Sequence, residues 1–374
     1  DLWDLAHGSW EDCSGTSRFT EEAAQHELVR GIKALTDKPV VGVGRFTSPD
    51  AMVKQITSGT LDFIGAARPS IADPFLPNKI RDGRFDDIRE CIGCNICVTG
   101  DMTMSISRCT QNPSFMEEWR KGWHPERMQP KGGSEKVLVV GAGPAGLESA
   151  RALGLRGYQV TLAEAGDQLG GRVQNERALP NLSAWGRVAD YRIGQIGKMA
   201  NVDVYLQSRL DADQVLEFGF EHVCLATGSS WRRDGVGRAH LRPMPIDTAM
   251  PLFTPDDIMA GNLPSGTVVL FDDDHYYMGG VIAEKLVATG CNVTLVTPAA
   301  RVSEWTVNTL EQGRIHKRLA EKGITIRLNT VMTGVDHDRV VMACSFTGAG
   351  DEMPADAVVM VTARVGNTQL WRDL

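Results

Sequence analysis

Four cysteines stand close together in the stretch CIGCNICVTGDMTMSISRC: Cys91, Cys94, Cys97 and Cys109. Three follow C-x2-C-x2-C spacing, and the fourth returns after eleven further residues. Two chemistries call for four thiolates, a structural zinc ion and an iron–sulfur cluster. Zinc sites usually draw on two separated pairs. A compact loop with three neighbouring ligands instead suits three corners of a cubane, and the later cysteine supplies the fourth. The spacing therefore favours a [4Fe–4S] cluster over zinc. Gly93 and Asn95 interrupt the run, which speaks against a set of buried core thiols. A redox disulfide would leave two sulfurs without a role. Such a cluster moves single electrons, so a group that converts electron pairs to singles is expected with it, and a flavin does that.

A second constellation follows in KVLVVGAGPAGLESARALGLRGYQVTLAEA, where Gly141, Gly143 and Gly146 have G-x-G-x-x-G spacing. The glycines follow an apolar strand and open a helix, and Glu164 ends the next strand. In that context the motif predicts an adenine dinucleotide or an ADP fragment, with pyrophosphate at the helix N-terminus and the acid on a ribose hydroxyl. The later VCLATGS, with Thr227 and Gly228, is similar to a second fingerprint of such flavoprotein folds. A further copy of the unit, VVLFDDDHYYMGGVIAEKL, keeps the strand and helix but loses the loop. Asp272, Asp274 and Tyr277 replace the glycines, three adjacent carboxylates (Asp272, Asp273, Asp274) would repel a diphosphate, and Tyr276 and Tyr277 fill its space. This copy is expected not to bind NADPH.

The elements that position these loops are read from punctuation and periodicity. KPVVGVG is an apolar strand. TSPDAMVKQITSG is a helix with Ser48 as N-cap, Pro49 at its first position and Gly59 beyond its end. LDFIGAA is the next strand, which completes a parallel βαβ unit. Trp119 to Gly133 reads as a polar linker. The fold class is α/β: the C-terminal part of a (β/α)8 TIM barrel over residues 1–128, then Rossmann-like nucleotide-binding-type domains over 129–245 and 246–374. The two strands of the first section end at Gly44 and Arg45 and at Ala67 and Arg68. Small residues let backbone N–H groups approach a ligand, and arginine binds phosphate in bidentate fashion.

The 374 residues allow two or three domains, and the net charge of −8 argues against a general nucleic-acid binder. No apolar run reaches membrane-span length and no signal pattern opens the chain, so a soluble, cytoplasmic protein is expected. Cys224 and Cys291 lie in strand-like runs and read as small buried hydrophobes. The chain starts at Asp1 and stops at Leu374 without terminal elements, and is expected to be an internal piece of a longer polypeptide.

The stretch GVGRFTSPDAMVKQITSGTLDFIGAARPSIADPFLPNKIRDGRFDDIRECIGCNIC, with RCTQNP and GAGPAGLESA after it, resembles the iron–sulfur flavoprotein amine dehydrogenases. Trimethylamine, dimethylamine and histamine dehydrogenases typify that family, and bacterial 2,4-dienoyl-CoA reductases are cousins. The resemblance implies FMN on the barrel, its phosphate near Gly44, Arg45, Ala67 and Arg68, and a [4Fe–4S] cluster on the four cysteines. It also implies ADP, or alternatively FAD, on Gly141, Gly143, Gly146 and Glu164. Asp12 stands in a loop where the family has an acid facing the substrate amine; the other reading is a solvated loop acid. By the same resemblance the parent protein oxidises a small amine, passes electrons to an electron-transferring flavoprotein, and forms a homodimer. The stretch DDDHYYMGG resembles the amine dehydrogenase form, and a reductase would need a working second loop. Two alternatives stand beside this one. The first is an NADPH-dependent dienoyl-CoA or enoate reductase with FAD. The second is an electron-transfer or interaction fragment with no activity of its own. Trp185 and Tyr191 either contribute to a docking face or pack in the core, and core packing is favoured.

Overall fold

The computed structural model describes residues 1–121 and 124–374. Gly122 and Trp123, within the expected linker, lie outside the described residues. The chain forms two compact units. The first holds 1–177, 181–227 and 370–374; the second holds 178–180 and 228–369.

The first unit opens with a three-stranded parallel sheet, β1 (Trp3–Leu5), β2 (Val40–Gly42) and β3 (Phe63–Ile64). Between β1 and β2 lies the one-turn helix α1 (Trp10–Cys13). Helix α2 (Pro49–Thr57) links β2 to β3. It starts where the sequence puts the stop and start signals: the Ser48 hydroxyl accepts from Ala51 N–H, Pro49 occupies the first position, and Gly59 follows the end at φ 70°. A second anchor is the Glu22 carboxylate, which accepts from the Ser48 N–H at 2.8 Å, the Thr47 hydroxyl at 2.8 Å and the Thr47 N–H. Burial works against the Glu22 charge, but these hydrogen bonds outweigh it and hold its pKa below the usual value. Helix α3 (Ala67–Ala72) precedes the cysteine loop, and α4 (Ile96–Met102) lies within it and carries Cys97.

The second half of this unit is a parallel four-stranded sheet in the order β6 (Val202–Tyr205), β5 (Gln159–Ala163), β4 (Lys136–Val140), β7 (His222–Leu225). Helix α5 (Pro144–Arg156) crosses from β4 to β5 and ends at Gly157, whose φ of 95° makes the left-handed C-cap. Val137, Val139, Leu147, Ala150, Val160 and Leu162 form its core. Helix α6 (Arg187–Ile196) packs on α5 and carries Tyr191 and Arg192 inward.

The second unit has its own five-stranded parallel sheet, ordered β11 (Thr325–Arg327), β10 (Asn292–Val296), β9 (Thr267–Asp272), β15 (Ala357–Val361), β8 (Leu252–Phe253). An antiparallel meander, β12 (Thr330–Val335), β13 (Arg339–Cys344) and β14 (Gly350–Pro354), supplies the rest of the core with Met332, Val340 and Met342. Helix α7 (Tyr277–Ala288) crosses from β9 to β10. It is apolar nearly all round and buried, as its run of Val281, Ile282, Ala283 and Leu286 dictates. Among the described residues no helix is long and apolar enough to cross a membrane.

Candidate functional site

The cysteine loop folds by reversals that only certain residues tolerate. Gly93 has φ 63° and Asn95 φ 56°, both left-handed. A Cβ on Gly93 would also meet the Ser17 N at 2.8 Å. These turns bring Cys91, Cys94, Cys97 and Cys109 onto one small cavity, shared with Arg68, Ile71, Asn95, Thr110 and Gln111. The cavity is enclosed enough to suppress ionisation. Burial pushes the Cys97 thiol up to about 11, helped by the neighbouring sulfurs of Cys91 and Cys109, and it raises Cys94 and Cys109 as well. Thiols so disfavoured as bare anions become thiolates when a cationic metal centre joins them. Two backbone N–H groups already point at sulfur, Gly93 to Cys91 and Gln111 to Cys109, each at 3.4 Å. The residues thus fit a thiolate-held cluster. Among the described residues no group of three or more His, Cys, Asp or Glu is arranged to hold a metal ion, so the fit rests on the shared cavity and its chemistry.

The expected phosphate residues divide. The Arg45 backbone is left-handed at φ 56°, and its guanidinium Nε and Nη1 are buried with no hydrogen-bond partner among the described residues. Burial pulls its pKa below the usual value. A buried, unpartnered guanidinium is a costly feature that an anion would satisfy, so Arg45 fits a flavin phosphate. Gly44 packs tightly: a Cβ there would lie 3.3 Å from both Ala23 Cα and Phe46 Cζ. Ala67 is the first residue of α3. Arg68 is used differently as it stands. Its Nη1 donates to Gly15 O at 2.9 Å and to Asn95 Oδ1, and the side chain lines the cysteine cavity. Asp12 lies in α1 with its carboxylate 2.7 Å from the Ser9 hydroxyl and 3.6 Å from His7 Nδ1; it is 46% exposed.

The first glycine loop is built for close approach. Gly141 has φ 98°, and a Cβ there would sit 2.4 Å from Ala226 O. A Cβ on Gly146 would fall 1.8 Å from Gly141 O, so the helix can pack only without one. Gly143 is the N-cap of α5, and a Cβ there would meet nothing within 4 Å. The space beside it is open to a pyrophosphate at the helix N-terminus. The Glu164 oxygens accept from Ala142 N–H and Gly166 N–H, both at 2.7 Å. A carboxylate with two such bonds retains acceptor capacity for a hydroxyl.

The corresponding loop of the second unit is filled. Asp272 and Asp273 are fully buried. A Cβ on Gly279 would lie 2.5 Å from Asp272 Cγ, so that carboxylate presses directly on α7. His275, at φ 63°, sits over the turn with Nε2 3.3 Å from Asp273 Oδ1. The Tyr276 ring stacks edge-on to Tyr277 and Trp305, at 4.7 and 4.8 Å.

Several residues that matter were not singled out from the sequence. Arg89 and Gln111 stand two residues outside the first and last cysteines, and both are buried. Arg192 donates to Gln111 Oε1 at 2.9 Å and to Gln111 O at 3.2 Å, and its Nε is 2.7 Å from Glu148. Tyr191 is buried beside Arg89, in line with core packing, and Trp185 is half-buried. Cys291 is buried and Cys224 packs against the core, and none of the eight cysteines forms a disulfide.

Comparisons with known proteins match the parallel-sheet section, the glycine-loop section and the second unit separately. The NADH:flavin oxidoreductase / NADH oxidase family matches residues 1–87, an NAD(P)-binding Rossmann-like domain matches 139–198, and an OYE-like second alpha/beta domain matches 253–374. A dimethylamine dehydrogenase of Hyphomicrobium sp. is 38% identical over all of this chain and 55% of its own length. The structure of histamine dehydrogenase from Rhizobium sp. 4-9 superposes with a TM-score of 0.98 at 65% identity, over 100% of this chain and 55% of that one. The 6-hydroxypseudooxynicotine amine oxidase of Pseudomonas geniculata N1 gives 0.96 at 51% identity, over 100% and 56%. Over its whole length the chain is homologous to dimethylamine and histamine dehydrogenases. It spans about half the length of the relatives it matches.

Proposed function

We propose that the protein of which this chain is part oxidises a small amine and sends the electrons out singly through the cysteine loop. The carrying observation is the pairing of one open nucleotide loop with one closed by its own side chains. Gly143 leaves space for a diphosphate, whereas Asp272, Asp273 and Tyr276 fill the second loop. A reductase fed by NADPH needs that second pocket; an amine dehydrogenase does not. The three relatives described above are named for amines, which supports the same choice.

In this reading the first section completes a (β/α)8 barrel with residues beyond this chain, and the domains run 1–128, 129–245 and 246–374. Arg45, with Gly44 and Ala67 beside it, holds the flavin phosphate, while Arg68 lines the cysteine cavity. Cys91, Cys94, Cys97 and Cys109 hold a [4Fe–4S] cluster, and Gly141, Gly143, Gly146 and Glu164 hold ADP. When bound, the flavin would accept an electron pair and release it one electron at a time to the cluster. The amine loses that pair and two protons, one from carbon and one from nitrogen, to become an imine, which water hydrolyses to an aldehyde and a smaller amine or ammonia. Asp12 is a candidate for facing the substrate ammonium. An electron-transferring flavoprotein is the proposed acceptor, a homodimer the proposed assembly, and the cytoplasm, where free thiols persist, the proposed location.

The test is the bound nucleotide and its consequence. Acid extraction of the full-length protein is expected to release ADP, and NADPH is expected to leave the flavin oxidised. Release of FAD together with bleaching by NADPH would favour the reductase instead.

A further inference from the structure

Arg89 precedes Cys91 by two residues and is 0% exposed. A guanidinium so placed needs countercharge or hydrogen bonds. Part of that is present. Nη2 donates to the Tyr191 hydroxyl at 3.1 Å and lies 3.3 Å from Glu126 Oε1. The guanidinium carbon sits 4.7 Å from the centre of the Tyr191 ring, a cation–π distance. The Arg89 backbone N–H is fixed by the Asp73 carboxylate at 2.8 Å. Glu126 is itself shared with Lys79 at 3.1 Å, and Lys79 binds Asp73 at 2.7 Å. Nε and Nη1 of Arg89 meet no hydrogen-bond partner among the described residues. The side chain is therefore fixed in a buried network two residues from the first cysteine, with Glu126 shared between it and Lys79 and two of its nitrogens without a hydrogen-bond partner among the described residues.

Arg89 stands two residues before Cys91 and is fully buried, so its charge lies within electrostatic reach of the loop. A cluster on four thiolates gains negative charge with each electron, and nearby charge sets its potential. In a low-dielectric site a fixed cation stabilises the reduced form strongly.

We propose that Arg89 is a tuning residue, a buried fixed cation that raises the reduction potential of the cluster held by Cys91, Cys94, Cys97 and Cys109, with Glu126 as its opposing charge and Tyr191 as its clamp. The proposal rests on the cluster assignment above. It assigns a task to a residue that touches neither substrate nor sulfur.

The test is an anaerobic redox titration of the full-length holoprotein followed by the cluster's EPR signal, with iron and sulfide assayed in each variant. Arg89→Gln is expected to retain iron and sulfide and to shift the oxidised-to-reduced ratio at fixed potential about tenfold towards oxidised, about 59 mV for one electron. Arg89→Lys, which keeps the charge, should stay near the parent. Glu126→Gln should shift the ratio the other way. A residue that merely supported the fold would loosen the cluster in every variant and give no reversal of sign. Full iron content with unshifted potentials in Arg89→Gln and Glu126→Gln would overturn the proposal, as would shifts of the same sign. If Arg89→Gln does not accumulate, the sign of the Glu126→Gln shift decides. Absence of iron and sulfide from the parent protein would instead remove the cluster assignment, and the proposal with it.

Discussion

The carboxylate of Asp272 and the backbone of Gly279 are in direct contact: a Cβ built on the glycine would lie 2.5 Å from Asp272 Cγ. Gly279 lies in the first turn of α7, where a diphosphate would otherwise approach the helix. An acid has been folded into a phosphate's place, and it carries a titration signature. Burial first, and the Asp274 charge next, push Asp272 up to about 7 from 3.8. Burial opposes protonation of His275, but Asp273 and Asp272 outweigh it and hold its pKa above the ordinary value.

Both groups bind protons more tightly in the folded state. Their contribution is fully present below the unfolded pKa values and is lost as pH rises through the folded ones. Asp272→Asn should therefore stabilise the protein relative to the parent at pH about 8, by up to about 4 kcal/mol for a rise of about three pKa units at roughly 1.4 kcal/mol each. The gain should vanish near pH 4. Denaturant unfolding at the two pH values checks this, and a gain independent of pH would contradict it.

Arg45 gives a prediction of opposite sign for apo and holo protein. Arg45→Met should weaken flavin retention by about 10- to 100-fold, the worth of a lost charge-assisted contact of about 1.5–3 kcal/mol. The same change relieves an unpartnered buried charge, so the flavin-free protein should melt no lower than its parent. Flavin content after gel filtration and thermal melts of both forms measure the two effects.

The glycine loop separates binding from packing. Gly146→Ala forces a Cβ against Gly141 O and should destabilise the fold by about 1–3 kcal/mol. Gly143→Ala has space and an ordinary φ of −70°, so stability should hold while nucleotide occupancy falls at least about tenfold. Unfolding curves and nucleotide extraction distinguish the two.

Arg192 joins the Gln111 end of the cysteine loop to Glu148 on α5. Arg192→Ala leaves Glu148 with Arg151 as its remaining partner and removes two hydrogen bonds to Gln111, and should cost about 1–3 kcal/mol. Gln111→Ala, which spares the ion pair, should mainly lower iron retention, by about 10- to 100-fold as for outer partners of metal ligands. Iron released to a chelator over time reads the second effect.

Local signals were legible in the sequence; distant partnerships were not. The cysteine spacing, the glycine loop with its acid, and the Ser48–Pro49 helix start each depend on residues within a few positions, and each local element formed as read. The loss of the second loop was visible as DDDHYY, although the contact of Asp272 with Gly279 was not. Arg89 with Tyr191 joins residues 102 apart, and Arg192 with Gln111 joins residues 81 apart. No periodicity announces such pairs, because tertiary packing alone brings them together. Arg68 shows the same limit. Its place at a strand end suggested a phosphate, while the folded chain turns it towards Asn95 and the cysteines.

The central claim is that electrons from an amine leave by way of the cysteine loop. Anaerobic addition of small amines to the full-length holoprotein, with flavin absorbance and the cluster's EPR signal followed together, tests it most directly. The account predicts that an amine bleaches the flavin and brings up the cluster signal, while NADPH does neither. Bleaching by NADPH with no response to any amine, or a protein that carries zinc in place of iron and sulfide, would contradict it.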